Sequence, residues 1–349
     1  MDFTNKVTNW YSIHKRELPW RKTTNPYYIW LSEIILQQTQ VKQGLPYYEA
    51  FVTQYPTIFD LANASEHAIL KLWQGLGYYS RARNLHTTAK HIAFNLNGIF
   101  PDNYKELIKL KGIGDYTASA IASIAFNEVA AVVDGNVYRV LARYFGIDTP
   151  INSTIGIKEF KALASSLIDK EQPATFNQAI MEFGAQQCKP KNPDCTICPL
   201  KDSCVALQKN LVDVLPVKLK KTKVSTKYFN FLVCIDTNKN ILFEKRTEKG
   251  IWRNLYQFPL IESEKSLKAD EFYLLNLKDT FLNNLEFDYA LYNTTDKVHK
   301  LSHQHLHTKF WIVEINAPLK EAIPIKSLNK YPAPVLISDF INTFNFKNL

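Results

Sequence analysis

The chain has 349 residues, 46% of them hydrophobic, and carries 42 Lys and Arg against 33 Asp and Glu, a net charge of +9. That length suffices for two domains with sizeable cores, and the basic balance suits a polyanionic partner without requiring one. No segment supplies the roughly 18 uninterrupted apolar residues of a membrane span, the longest candidate being broken by Asn127 and Glu128. With no apolar export-signal core near the N-terminus, no membrane partner and a cytoplasmic location are expected.

The first informative element is YIWLSEIILQQTQ, Tyr28 to Gln40. Ile29, Trp30, Ile34 and Leu36 recur at helical spacing, so the segment reads as an amphipathic, largely buried helix. Glu33 lies within it. A carboxylate there faces solvent, or it is buried and then paired or used; burial raises its pKa and keeps it protonated, as a general acid requires.

Next comes a helical pattern from Tyr104 to Lys109, the turn Lys111-Gly112-Ile113-Gly114, and a second helix from Tyr116 to Phe126. Two glycines two residues apart permit positive φ and let backbone N–H groups approach a bulky anion at a helix start. Such a helix–hairpin–helix can hold a phosphate without reading any base, although an ordinary αα-hairpin has the same outline. Asp134 precedes a helix from Val137 to Phe145, the position of an N-cap.

Cys188, Cys195, Cys198 and Cys204 follow with the spacing C-x6-C-x2-C-x5-C, and Pro190, Pro193 and Pro199 keep the intervening chain out of helix. Disulfides are disfavoured in a reducing compartment. Four thiolates so placed suit a compact metal centre; a single C-x2-C knuckle with wider flanks leans toward [4Fe–4S] and leaves zinc open. Cys234 stands in an apolar run and reads as a core thiol.

Up to about Asn210 the chain reads as helices. Residues 212–227 form a linker with Lys218, Lys220, Lys221, Lys223 and Lys227 and one proline, Pro216; such a charged tether is extended, and it either lies along DNA or is simply solvated. Strand patterns then occupy Tyr228 to Asp236, Asn240 to Lys245 and Phe310 to Ile315. His299, His303, His305 and His307 alternate as one face of a strand would, which is a simpler reading than a metal site. No glutamate-rich Mg²⁺-binding helix is found between residues 250 and 290.

Several strings together resemble the helix–hairpin–helix DNA glycosylase superfamily, and within it the adenine glycosylases of the MutY type. They are Leu18-Pro-Trp-Arg21, Ser32 to Val41, Gly75 to Asn84, the hairpin, Val133-Asp-Gly-Asn-Val137 and the cysteine loop. The resemblance implies an all-helical glycosylase domain over residues 1–211, with the hairpin at 104–126 and a [4Fe–4S] loop at 188–204. The linker 212–227 and a Nudix-like α/β sandwich at 228–349 would complete the chain.

In function, the resemblance implies excision of adenine opposite 8-oxoguanine or G in double-stranded DNA, by a nucleoid-associated monomer. No clear peptide for binding a sliding clamp is present. Glu33 would be the general acid and Asp134 the cation stabiliser, oriented by Tyr116 and Asn136; Trp20 and Arg21 would line the adenine pocket. Gln38, Thr39, Tyr78, Lys111, Gly112, Gly114, Ser302 and His303 would contact DNA or the opposite base. Related bifunctional enzymes, resembling endonuclease III, carry a Schiff-base lysine where this chain has Tyr116, so a monofunctional enzyme is expected. Any trace lyase activity would fall to Lys111. Leu301 replaces the phenylalanine that most relatives place before the Ser-His pair, removing a stacking surface.

Overall fold

The computed structural model describes residues 2–219, 224–275, 277 and 280–346; three of the linker lysines, Lys220, Lys221 and Lys223, lie outside them. The chain divides into two compact units, Met1–Ala64 with Arg83–Lys220, and Ser65–Ala82 with Lys221–Leu349. The excursion of residues 65–82 into the second unit has no signature in the sequence.

The first unit is helical: α1 (Phe3–His14), α2 (Pro26–Leu36), α3 (Val41–Gln54) and α4 (Ile58–Asn63) precede the excursion. The excursion itself holds α5 (Glu66–Leu72) and the start of α6 (Ser80–Lys90). After it come α7 (Tyr104–Leu107), α8 (Asp115–Phe126), α9 (Gly135–Phe145), α10 (Thr154–Leu167), α11 (Pro173–Gln186) and α12 (Val205–Gln208). Local chemistry sets the ends. Asn25 caps α2, with Pro26 in its first turn, and α9 stops at Gly146, whose φ of +70° is left-handed.

Helices α1, α9, α10 and α11 close around Val7, Val140, Phe160, Phe176 and Phe183, all essentially solvent-free. Burying each such phenylalanine contributes roughly 1.5–3 kcal/mol. Separately, α2 packs on α8. Ala118, Ala120 and Ala122 have no accessible surface, and such short side chains allow the close approach that brings the middle of α2 to the start of α8.

In the second unit, β1 (Ser225–Asp236) and β8 (Gln304–Ile315) run parallel at the centre of a sheet, with Phe231 opposite Phe310 and Cys234 opposite Val313. Around them the sheet order is β6-β8-β1-β2-β9, where β2 is Asn240–Ile241, β6 is Phe287–Leu291 and β9 is Ile323–Pro324. β5 (Leu260–Ser263) also pairs with β1, and β7 (Lys297–Lys300) with β8.

Helix α13 (Val335–Thr343) covers one face, stacking Phe340 on Phe310 at 4.2 Å. On another side Leu232, Cys234, Trp311 and Val313 form a core with Phe272, so Cys234 is a core thiol as expected. The strand expected from Asn240 to Lys245 is broken: Glu244–Lys245 (β3) leaves the main sheet to pair with Tyr256–Gln257 (β4). Alternation marks a strand but not its partner, and here two partners divide one run.

Candidate active site

Glu33 is buried, only 8% exposed, in the middle of α2. Of its two possible orientations, the inward one is realised. Burial pushes its carboxyl up to about 7, and the nearby charge of Asp134 adds to the rise. A hydrogen bond from the Tyr116 hydroxyl and the positive charge of Arg21 pull the other way. A carboxylic acid poised near neutrality is half protonated at pH 7, the condition for efficient proton donation. The Tyr116 phenol, itself buried against Glu33 and Asp134, is held far above its ordinary value and stays a hydrogen-bond donor; it also lies 3.2 Å from Met181 Sδ.

Asp134 caps α9. Its Oδ1 accepts from the backbone N–H groups of Asn136 and Val137, both at 2.8 Å, and its Oδ2 accepts from Asn136 Nδ2 at 2.8 Å. Burial raises this carboxyl above its ordinary value, and the three hydrogen bonds only partly oppose the rise, so the pair differs in its partners: Asp134 holds three hydrogen bonds, Glu33 the one from Tyr116. The cap expected at Asp134 is realised, and the same carboxyl lies close enough to Glu33 to raise it. Asn136 Oδ1 in turn accepts from Arg139 Nη2 at 2.9 Å.

At the hairpin, Gly112 has φ of +80°, and a Cβ there would meet Asn84 Cβ at 2.7 Å. Gly114 differs from expectation. Its φ is −94°, extended backbone, and a Cβ would meet nothing within 4 Å. It serves as the N-cap of α8 without a side chain, leaving first-turn N–H groups open toward an anion. Thr88 Oγ1 donates to the Lys111 carbonyl at 2.7 Å and fixes the turn, while the Lys111 side chain is exposed.

Gln38 is exposed at φ of +53°, a conformation rare outside glycine, and Thr39 follows it, partly buried. Tyr78, in the second unit, has φ of +45° and is 51% exposed. Ser302 and His303 occupy the exposed turn between β7 and β8, with Ser302 Oγ and His303 Nδ1 3.5 Å apart.

The four cysteines, all free, line one pocket together with Val140, Phe183, Leu200 and Val212. Arg143 Nη1 donates to Cys188 Sγ at 3.4 Å. Among the described residues no three His, Cys, Asp or Glu side chains are gathered tightly enough for a single metal ion. An all-thiol donor set is the ligand chemistry of an iron–sulfur cluster, and equally of a four-cysteine structural zinc.

A profile of the HhH-GPD superfamily of base excision DNA repair proteins matches residues 31–163, and one of the NUDIX domain matches 230–343. The adenine DNA glycosylase of Buchnera aphidicola subsp. Baizongia pistaciae is 42% identical over 258 residues, 74% of this chain and 73% of that one. That of Buchnera aphidicola subsp. Schizaphis graminum is 37% identical over 87% of this chain and 85% of its own. The chain belongs to the adenine DNA glycosylases. It is an enzyme of base excision DNA repair. Among solved structures, a thermostable thymine-DNA glycosylase superposes with a TM-score of 0.55 at 31% identity, over 59% of this chain and 95% of that one.

Within this glycosylase, Trp20 is buried edge-on to Tyr48, and Arg21 is clamped by a residue that sequence reasoning missed. Glu182, on α11 and 1% exposed in its side chain, accepts from Arg21 Nη2 at 2.8 Å and from Arg16 Nε and Nη2 at 2.7 Å each. The signal was available: like Glu33, it is a lone carboxylate in an apolar helical run, Phe176 to Phe183.

These hydrogen bonds overcome burial and hold the Glu182 carboxyl down at about 2. Its stabilisation is therefore present above the ordinary glutamate value of 4.5 and is lost as pH falls through about 2. Glu182→Gln should destabilise the fold by about 3 kcal/mol at pH 7, because it leaves the largely buried guanidinium of Arg21 without its counter-charge. Urea unfolding at pH 7 checks this; an unchanged midpoint would make the clamp energetically idle.

Proposed function

We propose that this glycosylase hydrolyses the N-glycosidic bond of adenine opposite 8-oxoguanine or G in duplex DNA and leaves an abasic site without cutting the strand. The observation that carries the reading is the buried trio of Glu33, Tyr116 and Asp134, an acid poised near neutrality beside a hydrogen-bonded carboxylate. The adenine leaves the base stack to reach it. Glu33 then donates its proton to N7 as the C1′–N9 bond breaks, and the bonding electrons depart with neutral adenine. Asp134 stabilises the cationic sugar, much as paired carboxyls serve glycoside hydrolysis. Water adds at C1′, and its released proton restores the acid form of Glu33. Tyr116 has no amine, so no Schiff base forms and the abasic strand stays intact.

Gly112, Gly114 and Lys111 would grip phosphate, while Gln38, Thr39 and Tyr78 face the opposite strand; Ser302 and His303 read 8-oxoguanine, and the chain acts as a monomer. The test is a duplex with one A opposite 8-oxoguanine, labelled on the A strand and resolved with and without hot alkali. Cleavage only after alkali is expected. Cleavage without alkali, with a borohydride-trapped adduct, would replace this reading with a lyase acting through Lys111.

Cys188, Cys195, Cys198 and Cys204 would hold a [4Fe–4S] cluster, which when bound braces the loop that follows α11. Protein purified without oxygen should carry equal amounts of iron and acid-labile sulfide, and Cys198→Ser should lose both together with thermal stability. Stoichiometric zinc in place of iron would reject the cluster.

A further inference from the structure

The segment bearing Tyr78 belongs to the same compact unit as the Nudix-like domain, and a set of side-chain contacts ties it there. Glu66 Oε1 accepts from Asn254 Nδ2 at 2.5 Å, and the His67 ring meets Tyr256 and Tyr331 edge-on at 5.9 and 5.7 Å. Closer to the tip, Gln74 is held at both ends of its amide: Oε1 accepts from the Ala333 N–H at 3.3 Å and Nε2 donates to Ser338 Oγ at 2.8 Å. The Tyr79 hydroxyl, on a residue only 6% exposed, donates to the Ala333 carbonyl at 3.3 Å. Gln74 and Tyr79 thus flank the exposed Tyr78 in sequence, and both end on the same short stretch before and within α13.

Between these anchors the backbone is forced into an unusual path. Gly75, Gly77 and Tyr78 have φ of +107°, +70° and +45°. Tyr78 is not a glycine, so this conformation is disfavoured and persists only where its surroundings over-determine it. Trp73 Nε1 donates to the Gly77 carbonyl at 3.1 Å, and Arg81 Nη2 donates to the Leu76 and Gly77 carbonyls at 3.2 and 3.3 Å. The Arg81 guanidinium also lies over the Trp73 and Tyr78 rings, at 5.0 and 5.7 Å from their centroids.

From α13 the packing continues to the lesion-reading turn. Phe340 stacks on Phe310 of β8, and β8 begins at Gln304, immediately after His303. Strand and helix joined by aromatic packing form a continuous packed path between the two loops.

We propose that Gln74 and Tyr79 are positioning residues through which the Nudix-like domain holds the Tyr78 loop, so that reading at Ser302 and His303 and wedging at Tyr78 act as one device. The inference rests on the proposed roles of Tyr78, Ser302 and His303. It assigns Gln74 and Tyr79 no contact with DNA.

The test compares the full-length protein with Gln74→Met/Tyr79→Phe, substitutions that preserve bulk and remove only hydrogen bonds, and with Ser338→Ala, which cuts the same tie from the other side. Single-turnover adenine release is measured opposite 8-oxoguanine and opposite G, and amide exchange is followed across residues 75–79. The double variant, which loses three hydrogen bonds at Gln74 and one at Tyr79, should exchange faster there and lose about tenfold in preference for 8-oxoguanine, since each such bond contributes on the order of 1 kcal/mol. Release opposite G should stay within about twofold of the parent, because the proposal gives these residues no contact with DNA and separate sites act nearly independently. Ser338→Ala should move both readouts in the same direction.

In a cycle with His303→Ala, the losses of preference should fail to add, since coupled residues do not act independently. Additive losses, unchanged exchange, or an equal fall on both duplexes would each overturn the proposal. Should the parent release adenine from neither duplex, the functional reading fails, while the exchange comparison still decides whether these anchors hold the loop.

Discussion

Replacing Glu33 by glutamine should lower adenine release by about 10²–10⁴-fold, the usual contribution of a positioned general acid, and at the same time make the protein more stable. The second effect follows from the raised carboxyl. Glu33 titrates at about 7 in the fold against an ordinary 4.5, so below 4.5 both states are protonated and burial carries no electrostatic penalty. As pH rises through that window the unfolded chain releases its proton first, and the folded state is increasingly disfavoured. Above pH 8 the penalty reaches about 3 kcal/mol; at pH 5 it is below about 1 kcal/mol. Glutamine keeps an acceptor for the Tyr116 hydroxyl and has no charge to bury. Urea unfolding of parent and variant at pH 5 and pH 8 should show a gain that grows with pH. A gain equal at both values would mean that Glu33 is not buried as a titrating acid. In the parent, release should decline as pH rises above about 7, when Glu33 loses the proton it must give.

Asp134 invites a comparison of two substitutions, because its cap and its charge can be separated. Asp134→Asn keeps an oxygen for the Asn136 and Val137 N–H groups, and Asn caps helices about as well as Asp. It removes the anion, and release should fall by about 10²–10³-fold, as for loss of one electrostatic stabiliser of a transition state. Asp134→Ala should be as inactive and in addition lose about 1 kcal/mol of stability with the cap. Thermal unfolding and single-turnover release on the same preparations distinguish the effects. An active Asp134→Asn enzyme would reduce Asp134 to a cap.

The opposite signs of these stability effects reflect how the site is built. Burial disfavours the charged form of both carboxyls, but only Asp134 holds hydrogen bonds that the helix start needs in any case. Natural sites commonly accept such local destabilisation where chemistry requires it.

Features that depend on nearest neighbours along the chain were readable from residue order alone. The hairpin needs Gly112 for its left-handed turn. The C-x6-C-x2-C-x5-C loop gathers four thiols in a short stretch, the apolar run around Glu33 announces an expensive carboxylate, and it is the family resemblance that gives Tyr116, in place of a lysine, its bearing on lyase chemistry. The helices beginning near Pro26, Asp115 and Gly135 and the two long strands were legible for the same reason, since periodicity and caps are local.

Only the tertiary structure decided which way Glu33 points and what it meets, because Tyr116 and Asp134 are distant in sequence and arrive through the packing of α2 on α8 and the start of α9. Long-range pairing likewise placed Glu182 between Arg16 and Arg21, split Asn240 to Lys245 between two partners, and made Gly114 a matter of access rather than of φ. It also carried residues 65–82 into the second unit, where Gln74 and Tyr79 find Ala333. Each of these is a contact between segments far apart in the chain, and a linear pattern records the need for a partner without recording which partner answers it.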